Sequence, residues 1–150
     1  MKKYKKRKGI IEAPTRCPYC GSTVVLKSAD GIYRDNSKNA MLYVCSKYPK
    51  CDAYVRCHAG TKIPVGSMAN HELRSLRKTA HDYFDQLHKS GFMTKEDAYY
   101  WLAATVDAPM KHAHIGHLSE YYCKKVIEQS KMYIERYRSR MKPHKGGIAS

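Results

Sequence analysis

The sequence predicts an α+β chain in which a small, cysteine-rich antiparallel sheet precedes three helices. Three observations support that division. Five of the six cysteines fall within residues 1–66. The same stretch alternates short runs rich in Val, Tyr and Ile with Gly, Asp and Asn, the punctuation of strands and turns. Beyond residue 67, apolar residues recur at spacings of three and four, as on one face of a helix. The composition changes near "GTKIPVGS". The expected organisation is therefore a basic flexible arm over 1–13, a cysteine-bearing domain over 14–66, a helical domain over 67–141 and a flexible tail over 142–150.

The arm has six Lys/Arg among its first eight positions. Such a block repels itself and serves either as a phosphate-binding tail or as a solvated terminus. Four strand-like runs follow: "STVVLKS" (22–28), "GIYR" (31–34), "AMLYVCS" (40–46) and "AYVRCH" (53–58). They read as a sheet of three or four strands, too small to bury a sufficient core without a staple.

The first helix is expected where Leu73, Leu76, Ala80, Phe84 and Leu87 form one stripe. Gly91 suits the left-handed residue that ends it, with Phe92 folding back on Leu87 as in a Schellman ending. Thr94 and Asp97 form a capping box for a short helix, "KEDAYYWLAATV", that stops before Pro109. Ser119 can cap a third helix reaching about Arg140, with Cys123, Val126, Ile127, Ser130, Ile134 and Tyr137 facing inward. The outer face of that helix alternates Lys124, Glu128, Lys131, Glu135 and Arg138 at helical pair spacings, an ordinary solvated surface.

Charge bears on partners. The 150 residues hold 28 Lys/Arg against 13 Asp/Glu, a formal net charge of +15. Residues 1–66 carry 14 basic and 4 acidic side chains, a net of +10. Residues 67–150 carry 14 and 9, a net of +5. This balance favours polyanions: nucleic acid first, anionic membrane or acidic protein second. No window reaches the roughly 18 apolar residues of a membrane span, and no apolar run follows the basic start. A cytoplasmic protein with reduced thiols is expected, so metal binding is favoured over disulfides.

Cys17-Pro18-Tyr19-Cys20-Gly21 is the strongest local signal. A C-P-x-C-G turn lets two thiolates reach one ion while backbone N–H groups spread the charge on sulfur. A tetrahedral structural zinc needs four ligands. The next cysteines, Cys45 and Cys51, follow after 24 residues that the strands can fill. Two turns could then meet at one metal, the plan of a zinc ribbon. A four-thiolate zinc site has a net charge of about −2, which surrounding Lys and Arg help to tolerate. The competing readings are free buried thiols and a redox C-x-x-C, though the latter usually opens a helix in a larger α/β unit. Cys57-His58, six residues beyond Cys51, competes for the fourth ligand position.

"CPYCG" followed by "YVCSKYPKCDAYV" resembles the C-terminal zinc ribbons of bacterial type IA DNA topoisomerases, over about residues 15–56. The resemblance implies a four-cysteine zinc ribbon with Cys17, Cys20, Cys45 and Cys51 as ligands of one structural zinc. Cys57 then becomes a core thiol or one lying beside the ligands. The gap between the two cysteine pairs is longer than in that family, and "ADGIYRDNSKN" looks like an extended hairpin. None of the topoisomerase catalytic machinery can be placed here, so the resemblance implies binding to nucleic acid, single strands above all, and not strand passage. The order of ribbon and helices is also similar to small zinc-finger-containing proteins of phages and mobile elements, a likeness that bears on architecture only.

Aromatic and basic residues interleave along the ribbon as single-strand binding requires, with rings to stack on bases and cations to follow phosphates. The candidate set is Tyr33, Arg34, Tyr43, Lys47, Tyr48, Lys50, Tyr54 and Arg56. Tyr54 and Arg56, two apart in a strand, should share a face. Tyr48, between two lysines, is the tyrosine expected to be exposed. The competing role for each ring is packing over the small sheet. His112, His114 and His117 form H-x-H-x-x-H, a second metal site or nuclease base if accompanied by carboxylates. Only Asp107 and Glu120 lie nearby, so structural or surface histidines fit better.

The expected function is that of a non-enzymatic accessory or regulatory protein that binds nucleic acid, with single-stranded DNA favoured and RNA a possible substitute. A protein of replication or transcription is a further candidate partner. The rivals are a protein-interaction module that targets a nucleic-acid enzyme and a small metal-dependent nuclease.

Overall fold

A computed structural model describes residues 12–141. The arm expected over 1–13 falls almost entirely outside the described residues, and the tail over 142–150 wholly so.

Three short strands form one antiparallel sheet: β1 (Val24–Ser28), β2 (Met41–Cys45) and β3 (Tyr54–Arg56), in that spatial order. The register pairs Val24 with Cys45 and Ser28 with Met41 on one side, and Leu42 with Arg56 and Val44 with Tyr54 on the other. Because side chains alternate along a strand, this register divides the sheet into two faces. Tyr43, Cys45 and Val55 point to a face that buries Cys17, Ala53, Cys57 and Met68. Leu42, Val44 and Tyr54 point to the opposite face, under Ala29, Ile32, Tyr33, Ala40 and Tyr48.

The segment between β1 and β2 departs from the expected hairpin. "GIYR" (31–34) forms no strand. The Ile32 and Tyr33 N–H groups both donate to Ala29 O, and Ala29 N donates to Ala40 O at 2.9 Å, closing the neck of a loop. Gly31 at φ +81 and Asn39 at φ +51 make its bends. The loop folds over the sheet and lays Ile32 and Tyr33 on Leu42 and Val44. A short apolar run looks the same in sequence whether it pairs as a strand or covers one.

After β3 the chain turns at 58–61 and returns along its free edge. Val65 N donates to Arg56 O, and Tyr54 and Ala69 exchange both backbone hydrogen bonds at 3.0–3.1 Å. This return strip satisfies the outer edge of β3, which a sheet of three strands would otherwise leave open.

The helices follow the apolar stripes: α1 (His71–Lys89), α2 (Lys95–Thr105) and α3 (Glu120–Met141), with 3₁₀ turns at Met110–His112 and Ile115–His117. Asn70 caps α1, its side chain accepting from Leu73 N at 3.0 Å. Thr94 caps α2, accepting from Asp97 N at 3.1 Å. Gly91 takes the left-handed conformation at φ +79. The ending differs from the expected one: Met93 N reaches Leu87 O, and the Phe92 ring packs edge-on against Tyr137 of α3, centroids 4.7 Å apart. On α3, Cys123, Val126, Ser130 and Ile134 are buried as the stripe requires.

Ribbon and helices join through α1 and a glycine contact. Arg77 donates to Leu118 O at 3.1 Å and to Ser67 O at 2.8 Å, tying the return strip to the segment before α3. Gly66 is buried against Gly116, whose carbonyl oxygen also accepts from Ser67 N. A Cβ on Gly66 would lie 2.0 Å from that backbone oxygen, so the junction would have to open. Gly66→Ala should therefore destabilise by about 1–3 kcal/mol, the usual cost of overpacking. At about 2–4 °C per kcal/mol for a chain of this size, thermal melting should show a drop of several degrees. An unchanged melting temperature would mean that the two halves do not meet there.

Candidate metal centre and its surroundings

Two turns bring four cysteines together. In the first, Gly21 N donates to Cys17 O at 2.9 Å and Cys17 N to Ser22 O at 2.8 Å, with Gly21 at φ +73. In the second, Tyr48 N donates to Cys45 O at 2.9 Å and Cys51 N to Lys47 O at 3.1 Å, curling "CSKYPKC" into a compact knuckle. Lys47 N also points at Cys45 Sγ, 3.4 Å away. The extra residues of this wide pair are taken up within the turn.

The sulfurs of Cys17, Cys20, Cys45 and Cys51 all lie within 4.8 Å of one another. Cys17 and Cys51 are 3.6 Å apart, Cys20 and Cys45 3.4 Å. Tetrahedral zinc with Zn–S bonds of about 2.3 Å needs sulfurs separated by about 3.8 Å, whereas a disulfide needs about 2.05 Å. The cluster has the dimensions of a metal site and not of two disulfides. The donor set fits one structural zinc ion, and the chain carries a zinc-binding domain.

Protonation explains why a cation belongs there. Hydrogen bonds from the Ser22 hydroxyl and backbone N–H hold the Cys20 thiol down at about 6. Burial pushes Cys45 up to about 12, against the opposing Lys47 N–H. Cys51 is stabilised as a thiolate by Ala53 N–H, yet burial and the neighbouring thiols outweigh this and raise it. Four thiols so placed resist ionising together unless a positive ion compensates them.

Cys57 stays apart. It is buried, its N–H bonds to Met41 O at the opposite end of the sheet from Cys45, and burial raises its pKa. His58 is exposed on the turn that follows. His114 and His117 have ring centroids 5.7 Å apart, while His112 is exposed. Burial, with help from Arg77 and His112, pushes His117 down. Among the described residues, the four-cysteine group alone brings three or more potential metal donors together.

The sheet face opposite the metal turns gathers part of the expected aromatic set. Tyr33 and Tyr54 meet at 6.3 Å between centroids, and Tyr48 and Tyr54 at 6.4 Å. Arg34, Lys47, Lys50 and Arg56 are exposed around them. Two expectations fail. Tyr43 is buried on the metal side, its hydroxyl donating to Lys62 O at 2.6 Å, so it is a core residue and not a stacking platform. Tyr48 is half-buried, because the knuckle turns its ring down onto the sheet between its two exposed lysines. Tyr54 and Arg56 do share a face, but the Arg74 guanidinium lies 3.8 Å over the Tyr54 ring and covers it.

Arg74 is a neighbour of this face that the sequence did not point to. Besides stacking on Tyr54, it donates to Asp52 O at 2.7 Å and to Ala69 O at 2.6 Å, and it pairs with the Asp52 carboxylate at 3.4 Å. Asp52 Oδ2 also accepts from His71 N, the first N–H of α1. The residue after the last cysteine of the cluster thus anchors the start of the helical half. An acid directly after the CSKYPKC knuckle was the available signal, but its partner lies 22 residues away in sequence.

If these four cysteines hold the ion, purified protein should contain one zinc per chain, measured by elemental analysis. Replacing any of the four by Ser should weaken zinc binding by more than the 10–100-fold typical of disturbing an outer partner, roughly. Cys57→Ser and Cys123→Ser should keep the full complement. Zinc retained after Cys51→Ser but lost after Cys57→Ser would reverse the assignment.

Neither the curated proteins nor the solved structures give a match, and the likeness to topoisomerase ribbons stays one of motif. A family model described as a zinc-finger-containing domain matches residues 13–133, a span that takes in the four cysteines, the sheet and all three helices up to the last two turns of α3. The chain belongs to this family of zinc-finger-containing domains.

Proposed function

We propose that this protein is a non-enzymatic nucleic-acid-binding accessory or regulatory factor. Its ribbon, held by one zinc on Cys17, Cys20, Cys45 and Cys51, binds single-stranded DNA with little sequence preference. One observation carries the reading. All eight Lys and Arg residues between Glu12 and Gly66 are exposed, and among the described residues none forms an ion pair. Three of the four acids of residues 1–66 have other partners. Asp52 is committed to Arg74 and α1, Asp30 accepts from the Asn36 amide, and Asp35 from Ser37 N. A surface with free cations and engaged carboxylates suits a polyanion.

The half-buried Tyr33, Tyr48 and Tyr54 offer rims more than open ring faces. Stacking, worth on the order of 1–3 kcal/mol per base on a free ring, is therefore secondary to phosphate contact. Such binding depends strongly on salt and weakly on sequence. Each phosphate neutralised on a single strand contributes about −0.7 to the slope of log K against log salt. Replacing Lys47 and Lys50 together by Ala should flatten that slope by roughly 1.4 for oligothymidine, measured by fluorescence anisotropy, with zinc content unchanged. An identical slope would remove the knuckle from the interface.

A second reading has its own support. Tyr100 and Tyr121 are 56% and 67% exposed on the helical half. They suit an interface with a protein of replication or transcription. Co-purification with such an enzyme, without direct binding to any oligonucleotide, would favour this reading over the first.

A further inference from the structure

At the end of the sheet away from the cysteine cluster, a cleft of about 80 Å³ opens between residues 38–41 and 56–61. A buried water needs only about 10–15 Å³ on a comparable measure, so a small tetrahedral oxyanion has room. Lys38, Arg56 and His58 line the cleft, with Asn39, Gly60 and Thr61, and no carboxylate does. Among the described residues, none of the Lys38, Arg56 and His58 side chains makes a hydrogen bond or ion pair. These three exposed side chains stand at a cleft that Ala40, Met41 and Cys57 also line, with no protein partner of their own.

Its far wall is a tight turn. Thr61 N donates to His58 O at 3.0 Å, and Gly60 sits at φ +70 in the third position, the requirement of a type II turn. The Thr61 hydroxyl closes on His58 O at 2.9 Å and accepts from Ile63 N, fixing the turn internally. The N–H groups of Ala59 and Gly60, which also line the cleft, have no partner among the described residues. Cys57 holds the base of the cleft to β2 through its N–H bond to Met41 O. The floor and one wall are therefore set by backbone hydrogen bonds before any ligand arrives.

We propose that this cleft binds a phosphate group, with Lys38, Arg56 and His58 as side-chain donors and the Ala59–Gly60 amides as backbone donors. Charge-assisted hydrogen bonds to phosphate are the strong kind, and a fixed turn lowers the ordering cost of making them. The cleft and the knuckle lie at opposite ends of β2, about 14 Å apart at the rise of a strand, so one short strand of nucleic acid can touch both. In that respect the proposal rests on the nucleic-acid reading. The phosphate itself can be internal to a strand or at its 5′ end.

The test uses the zinc-loaded full chain. Titration with inorganic phosphate should shift the amide resonances of Ala59, Gly60 and Thr61. Lys38→Glu with His58→Glu should abolish those shifts and weaken oligothymidine binding about tenfold or more, the worth of a hydrogen bond to a charged group. Lys38→Gln with His58→Gln repeats the test should the charge reversal disturb folding. Tighter binding of 5′-phosphorylated than 5′-hydroxyl oligothymidine, lost in the variant, supports a terminal phosphate, and equal loss for both supports an internal one. Amides that stay in place throughout the phosphate titration overturn the proposal. So does oligonucleotide affinity that survives the cleft variants but falls on replacing Lys47 and Lys50, an outcome that leaves the nucleic-acid reading standing. Phosphate shifts without any oligonucleotide binding support the cleft and sink that broader reading.

Discussion

Four thiolates within 4.8 Å of one another repel unless a cation sits among them, and that constraint organises the N-terminal half. Each turn alone offers two sulfurs. The sheet brings the turns together, because Cys45 ends β2 directly opposite Val24 at the start of β1. The sheet in turn has little else to hold it, with three strands of three to five residues and thin apolar clusters on its two faces. Zinc binding and folding of such a unit are one equilibrium: the ligands assemble only in the folded chain, and the fold persists while they are assembled.

The metal turns also reach beyond the ribbon. Asp52 follows Cys51 and satisfies the first N–H of α1, where the helix dipole favours a carboxylate. Arg74, one turn into α1, binds back to the same residue and covers Tyr54. Arg77 ties the return strip to the segment before α3. These side chains work at half-buried sites, where a hydrogen bond to a charged group is worth more than an exposed ion pair. The knuckle and the start of α1 are therefore joined through one residue, Asp52.

Much of this was legible because it is fixed by short-range spacing. The C-P-x-C-G turn, the stripe Leu73–Leu87, the Thr94 cap and Gly91 all act within a few residues, so their chemistry can be read locally. What failed needed knowledge of what lies opposite. Ile32 and Tyr33 had strand-like neighbours, yet they cover the sheet instead of extending it. The burial of Tyr43 could have been read from parity: it lies two residues before Cys45, so it had to share the face of that cysteine, the face turned inward. Arg74 and Arg77 gave no such signal. Both lie off the stripe of Leu73, Leu76, Ala80, Phe84 and Leu87, and only the tertiary position of Asp52 and Ser67 makes them clamps.

The two sheet faces end with different tasks, and the division follows from that same parity. Odd-numbered positions of β2 serve the metal side, and even-numbered positions support the ring cluster of Tyr33, Tyr48 and Tyr54. Rings that must cover Leu42 and Val44 cannot also lie flat and open to a ligand. The side chains left exposed beside the rings are cations, from Lys47 and Lys50 at the knuckle to Arg56 and Lys38 at the far end. A small domain with few apolar side chains uses its aromatic residues for its own core, and what it leaves exposed on this face is charge.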